Sequence, residues 1–250
     1  MSDIVSERSG NILSIQLNRP AKKNAMTSSM YVTMAELLDG AAKDDQIRVV
    51  LWHAAGNSFS AGNDIEDFMK NPPAQGDSPQ AQLIHALINF EKPLVAAVQG
   101  AAIGGGTTML AHCDFVYAGE SAKFQLPFVN LALVPEFGSS YLLPLRFGYT
   151  RAAELILLGG SFDSSRAAEL GLVTRVVPDQ SLLATATETA RTLAAKPPAA
   201  VQASKRLMKR ALREQLDQAV KLENDVFAER VRSDDAKQAF MAFFASRKPA

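Results

Sequence analysis

Three places in this 250-residue sequence set glycines and polar groups where they could do chemistry. The first is Phe59-Ser60-Ala61-Gly62-Asn63-Asp64, and the second is Gly100 with Gly104-Gly105-Gly106; each leads into a segment read as a helix. A helix N-terminus offers unpaired N–H groups and the positive end of its dipole, and glycine lets a ligand approach that backbone closely. Two such N–H groups converging from separate loops would form an oxyanion hole, which stabilises charge developing on a carbonyl oxygen. The same residues also fit two ordinary turns, and their spacing does not choose between the readings. The third place is Val134-Pro135-Glu136-Phe137-Gly138, where one carboxyl stands among Leu131, Leu133, Val134 and Phe137. An apolar pocket would raise its pKa toward that of a general base working near neutrality. Taken by itself, Glu136 reads better as a surface glutamate favoured at a helix start.

Several other chemistries find no support. His53, His85 and His112 lack metal-ligand spacing such as H-E-x-x-H, so no metal site is expected. A G-x-S-x-G elbow, a G-x-x-x-x-G-K-[ST] loop and a dinucleotide fingerprint are all missing. Lys+Arg and Asp+Glu both number 26, so there is no basic excess of the kind nucleic-acid binding needs. Cys113 is the single cysteine; it excludes an intramolecular disulfide and fits a reducing compartment. The start, MSDIVSERSG, is polar, and the most apolar window, Leu94 to Leu110, is broken by Gln99, glycines and two threonines. A soluble, cytoplasmic protein without a membrane span is expected.

The elements that must carry these groups follow from periodicity. Strands are predicted over Asn11–Leu17, Ile47–His53, Pro93–Val98, Asp114–Ala118 and Ala122–Gln125. Helices are predicted after a Ser28 or Ser29 cap, from about Asp64, over Ala81–Phe90 and from Thr107. Asn71 to Pro79 is rich in turn formers. From Glu136 onward the segments read as helices, with one strand at Gly171–Val177. The expected division is an α/β core over residues 1–195 and a helical region over 196–250. Phe240, Phe243 and Phe244 on the last helix need cover from the core or from another subunit.

The order of these motifs resembles that of the crotonase (enoyl-CoA hydratase/isomerase) superfamily. The likeness rests on Asn18-Arg19-Pro20…Asn24-Ala25, Phe59 to Asp64, Gly100…Gly104-Gly105-Gly106 and Pro127…Pro135-Glu136. It continues through Arg151-Ala-Ala-Glu-Leu, Ala167-Ala-Glu-Leu-Gly-Leu-Val and Lys196-Pro-Pro to Arg247-Lys248-Pro249, nearly the whole chain. The resemblance implies an α/β fold, a crotonase-like ββα spiral with a helical C-terminal trimerisation region, and a homotrimer or dimer of trimers. It implies an acyl-CoA thioester as substrate and no further cofactor. It maps the oxyanion hole onto the N–H groups of Asn63 and Gly105, which leaves the Asn63 side chain without a dictated role. Lys22, Lys23, Ala25, Ala61, Asp64 and Ile65 would line the CoA part of the site, although Asp64 also reads as a first-turn carboxylate.

Departures from the family pattern bear on the reaction. Hydratases that this chain resembles carry one glutamate two residues after the glycine triplet and another just after the later proline; Thr108 and Phe128 stand there. Both would shape a drier acyl pocket. Glu136 instead matches the single catalytic glutamate of Δ3,Δ2-enoyl-CoA isomerases. The expectation is an enoyl-CoA isomerase, with 2-enoyl-CoA hydratase, another enolate-forming reaction or non-catalytic acyl-CoA binding as the alternatives.

Overall fold

The computed structural model describes residues 2–71 and 78–245. Most of the turn-rich segment expected over 71–79 lies outside them, as does the motif at Arg247-Lys248-Pro249. Six strands form the larger sheet: β1 (Ile4–Ser9), β2 (Ile12–Leu17), β3 (Val49–Ala54), β4 (Leu94–Val98), β6 (Phe115–Gly119) and β9 (Arg175–Val177). They lie in that order; β1 and β2 are antiparallel and every later pairing is parallel. A smaller sheet holds β5 (Ala101–Ile103), β7 (Lys123–Gln125) and β8 (Ser161–Asp163).

Side chains of a buried parallel strand alternate between two covered faces, and β3 shows the rule. Val50 and Trp52 join a cluster covered by α1 (Ser28–Lys43) and α3 (Pro79–Asn89), through Met30, Met34, Leu38, Leu83 and Leu87. Val49 and Leu51 face the other way, with Val95, Ala97 and Tyr117, against Leu182, Ala186 and Ala190 of α8 (Leu182–Ala194). The two alanines leave room for the helix to sit close to the sheet.

The path of the chain is a spiral with a repeating unit. Each turn places a strand in the larger sheet, then a short strand or single bridge beside the previous turn, then a helix. β2 is followed by Met26 and α1; β3 by Ser60 and α2 (Ile65–Lys70); β4 by β5 and α4 (Gly105–Thr108); β6 by β7. Bridges Met26↔Asn63 and Ser60↔Ala102, then the β5–β7 pairing, stack successive turns. Residues far apart in sequence, near 26, 62 and 104, therefore meet at one edge.

Glycines permit that closeness. A Cβ on Gly62, which has φ +84, would lie 2.7 Å from the Ile103 carbonyl oxygen, and one on Gly106 2.8 Å from Ser60 Cβ. After β7 come α5 (Ser139–Phe147), α6 (Tyr149–Leu158), α7 (Ser164–Glu169), then α8, α9 (Pro198–Arg210), α10 (Arg213–Arg230) and α11 (Asp234–Ala245). Lys205 of α9 donates to the Lys92 carbonyl (2.7 Å) and to Asp114 (2.6 Å), fastening that helix to the ends of β4 and β6. No helix among the described residues is long and apolar enough to cross a membrane.

Several local expectations need correction. Thr27, not Ser28 or Ser29, caps α1, its hydroxyl accepting from the Met30 N–H. The helix expected from Thr107 begins at Gly105. Phe240, by contrast, finds one of its two expected covers, the chain's own core. Strands β1, β5 and β8 escape the periodicity: β1 buries only Ile4, and the other two have three residues each. Pairing in the folded chain, not local pattern, makes them strands.

Candidate active site

The loop over residues 18–25 and the loop over 55–65 are tied together by one buried amide. Asn24 accepts from the Arg19 N–H (2.7 Å) and donates to the carbonyls of Ala55 (2.8 Å) and Ser58 (2.7 Å). Its left-handed φ of +54 is one that asparagine tolerates better than most residues. Ala61 N–H donates to the Lys23 carbonyl, and Asp64 N–H to that of Met26. Lys22, Lys23, Ala25, Ala61, Asp64 and Ile65 are thereby brought into one neighbourhood. Lys22 and Lys23 are exposed; the other four are half-buried. The Asp64 carboxylate is committed within the protein. It accepts the Glu66 and Asp67 N–H groups as the N-cap of α2 and pairs with Arg19 at 2.5 Å. Burial opposes its ionisation, but the hydrogen bonds from Arg19 and the Asp67 N–H outweigh that and hold it below its ordinary value.

Asn63 and Gly105 lie in adjacent turns of the spiral. Neither main-chain N–H has a hydrogen-bond partner among the described residues. Gly104, with φ +53, turns the chain so that Gly105 becomes the first residue of α4. Thr108 is fully buried and directs its hydroxyl back to the Gly104 carbonyl at 3.3 Å. Phe128, also buried, brings a ring carbon to 4.0 Å from where a Gly104 Cβ would stand.

Glu136 meets this pair. It is 5% exposed, which overturns the surface-glutamate reading. A Cβ on Gly105 would lie 2.8 Å from its Oε1, and the Asn63 side-chain amide donates to Oε1 and Oε2 at 3.3 and 3.4 Å. Burial pushes its pKa up from 4.5 to about 7; the Asn63 hydrogen bond pulls down and the charge of Glu223 adds to the rise. The carboxylate follows Pro135 and precedes two left-handed residues, Phe137 (φ +63) and Gly138 (φ +69). For phenylalanine such a φ is strained. Glu223 of α10 accepts from the Gly138 N–H (2.6 Å) and the Ser140 N–H (2.7 Å), and the His112 ring donates to the Phe137 carbonyl (2.7 Å). These bonds hold the turn and cap α5.

Three participants were not legible in the sequence. Tyr31, fully buried on α1, donates to Asn63 Oδ1 at 2.6 Å. Burial and the Glu136 charge raise its pKa well above 10, so it stays a phenol. Glu223 and His112 come from segments remote in sequence. Only Tyr31 left a signal: a tyrosine on the buried face of α1 needs a partner for its hydroxyl. The Asn63 side chain, to which the family likeness dictates no role, faces the carboxylate.

The site can thus offer two free N–H groups and one carboxylate poised near neutrality. A Gly105→Ala change tests that geometry. Its Cβ would press on side-chain ends only, Glu136 Oε1, Tyr31 OH and Met26 Cε, so they can yield. We expect the melting temperature to hold within a few degrees while turnover falls roughly 100-fold, because misplacement of about 1 Å costs that much. Parallel melting curves and steady-state rates check it.

Fold and site thus bring two free N–H groups and one buried carboxylate together at the edge where successive turns of the spiral meet. The enoyl-CoA hydratase/isomerase family model matches residues 7–250, and the chain belongs to that family. It is 34% identical to a 1,2-epoxyphenylacetyl-CoA isomerase of Escherichia coli (strain K12), over 100% of this chain and 98% of that one. It is 36% identical to the enoyl-CoA hydratase EchA19 of Mycobacterium tuberculosis (strain ATCC 25618 / H37Rv), over 99% and 95% respectively. The solved structure of Pseudomonas aeruginosa OdaA superposes with a TM-score of 0.94 at 44% identity, covering 97% of this chain and 99% of the other. The crotonase fold expected from the motifs is the fold observed, and the protein is an enzyme family member acting on acyl-CoA. Relatives named isomerase and hydratase stand side by side.

Proposed function

We propose that the protein shifts the double bond of a 3-enoyl-CoA to the 2-position. The observation that carries this reading is the single buried carboxylate, Glu136, beside the N–H groups of Asn63 and Gly105. Glu136 takes a proton from C2, and the electron pair moves through the thioester carbonyl to give a dienolate. The two N–H groups hold its oxygen. The same carboxyl returns the proton at C4, leaving the conjugated 2-enoyl thioester, so one base suffices. Hydration by two carboxylates would need groups that Thr108 and Phe128 do not supply. Lys22 and Lys23 would meet the phosphates of CoA, with Ala25, Ala61, Ile65 and the backbone of Asp64 beside them. No cofactor beyond the substrate is required, and cytoplasmic residence fits a lone buried thiol, Cys113.

The test is a series of 3-enoyl-CoA esters of different chain length, with trans-2-enoyl-CoA as the competing substrate. Formation of 2-enoyl-CoA, with deuterium placed at C2 of the 3-enoyl ester recovered in part at C4, supports the reading. Conversion of trans-2-enoyl-CoA to 3-hydroxyacyl-CoA as the main activity would replace it by hydration. Binding with no exchange at C2 would leave a non-catalytic acyl-CoA binder.

We also propose that the chain assembles as a homotrimer or a dimer of trimers. Leu145, Tyr149, Leu157 and Leu158 on α5 and α6 are each more than half exposed and would be covered by a neighbour. Light scattering should give three or six times 26.9 kDa; a monomer would refute the proposal.

A further inference from the structure

Asn63 touches the proposed chemistry twice. Its main-chain N–H is one free donor of the candidate oxyanion hole, and its side-chain amide reaches both oxygens of Glu136, at 3.3 and 3.4 Å. A carboxylate only accepts, so the nitrogen end of that amide must face Glu136. The oxygen end must then face Tyr31, whose hydroxyl donates to it at 2.6 Å. Tyr31 cannot drift. Its ring is fully buried on α1, 6.3 Å from that of Phe137. The chain of hydrogen bonds thus has one sense only, from phenol to amide to carboxylate.

We infer that Tyr31 and Asn63 are a positioning relay: the phenol fixes which end of the Asn63 amide faces the carboxylate, and the amide fixes the carboxylate beside the oxyanion donors. Base and oxyanion donor are aligned through one residue whose orientation is set from α1. Two other titratable groups stand near Glu136 and its turn. Glu223 on α10 faces it across the Gly138 turn, and His112, bonded to the Phe137 carbonyl, stays neutral with its pKa pushed down to about 3 by burial. Their hydrogen bonds go to the backbone of the turn, not to Tyr31 or Asn63. Because the relay donates to the charged form of Glu136, its loss must raise the pH at which that carboxyl ionises.

This inference deepens the isomerase reading and rests on Glu136 as its base, so the experiment needs a readout independent of turnover. Infrared difference spectroscopy of the full-length protein supplies one: the protonated-carboxyl band that vanishes in Glu136→Gln is titrated in wild type, Tyr31→Phe, Asn63→Leu and the double variant. Asn63→Leu keeps the main-chain N–H and the side chain's bulk. A hydrogen bond to a carboxylate corresponds to about 1–2 pH units. The midpoint is therefore expected to rise by roughly 1 unit or more in Asn63→Leu and by about half that in Tyr31→Phe. The double variant should match Asn63→Leu alone, because Tyr31 acts only through Asn63. In kinetics, kcat should fall roughly 10-fold in Tyr31→Phe with KM within about 2-fold, and the acidic limb of kcat/KM should follow the infrared midpoint. Unshifted midpoints in both single variants, or strictly additive shifts in the double, would overturn the relay. If Glu136→Gln keeps wild-type turnover, the isomerase reading falls, while the infrared midpoints still decide the relay.

Discussion

Replacing Glu136 by Gln is expected to lower 3-enoyl-CoA isomerisation by roughly 100- to 10,000-fold, the range a general acid–base group supplies. Affinity for the CoA ester should change little, because Gln keeps the shape and the Asn63 contact lies in the protein. The wild-type pH profile should show why. Only the carboxylate can abstract the C2 proton, so kcat/KM should rise with pH through about 7, the value to which burial lifts this group. Stability runs the opposite way. The folded chain keeps the proton to a higher pH than the unfolded chain does, so it binds more protons between about 4.5 and 7, and stability falls as pH rises through that window. The full cost, on the order of 3 kcal/mol, is reached above pH 7. Gln carries no charge to desolvate. The variant should therefore melt above wild type at pH 8 and converge with it near pH 4. Thermal melts at both pH values beside initial rates check both halves; equal rates would remove Glu136 from the mechanism.

Glu223→Ala is the second change with a large expected effect. It strips the acceptor from the Gly138 and Ser140 N–H groups, losing an α5 cap and leaving the buried Gly138 donor unpaired. Cap loss costs about 0.5–2 kcal/mol and an unsatisfied buried group about 1–3 kcal/mol. A total near 2–4 kcal/mol would lower the melting temperature by roughly 5–15 °C in a chain of this size. The turn that holds Phe137 at φ +63 loosens with it, and activity should suffer through Glu136. Glu223→Gln separates charge from scaffold. It keeps one acceptor and removes the negative charge that helps raise the Glu136 pKa, so the acidic limb of kcat/KM should move to lower pH. An unmoved limb would show that the Glu223 charge does not reach Glu136.

What the sequence made legible divides by the range of the interactions involved. Strands β2, β3, β4 and β6 carried their own apolar pattern because helices cover one or both of their faces, and the glycine loops announced themselves by composition. β5 could not: three residues bridging Ser60 on one side and β7 on the other become a strand only in company. The same limit applies at the site. Glycine spacing and family likeness drew attention to Asn63, Gly105 and Glu136, yet Glu136 alone read as a surface residue, since its burial depends on Gly105, Asn63 and α10 arriving from elsewhere. Glu223, 87 positions beyond Glu136, offered nothing but one more glutamate on a polar helix.

The two-sided packing of the larger sheet has a consequence for how the chain comes into being. Its inner face can be covered early, since α1 and α3 are synthesised among the strands they shield. The other face, with Val49, Leu51, Val95 and Ala97, waits for α8. During synthesis from the N-terminus, that row of aliphatic side chains stays bare until residue 194 has left the ribosome. Premature termination anywhere between β6 and α8 would release a polypeptide with a sticky, uncapped sheet, the kind of species that chaperones hold and that aggregates without them.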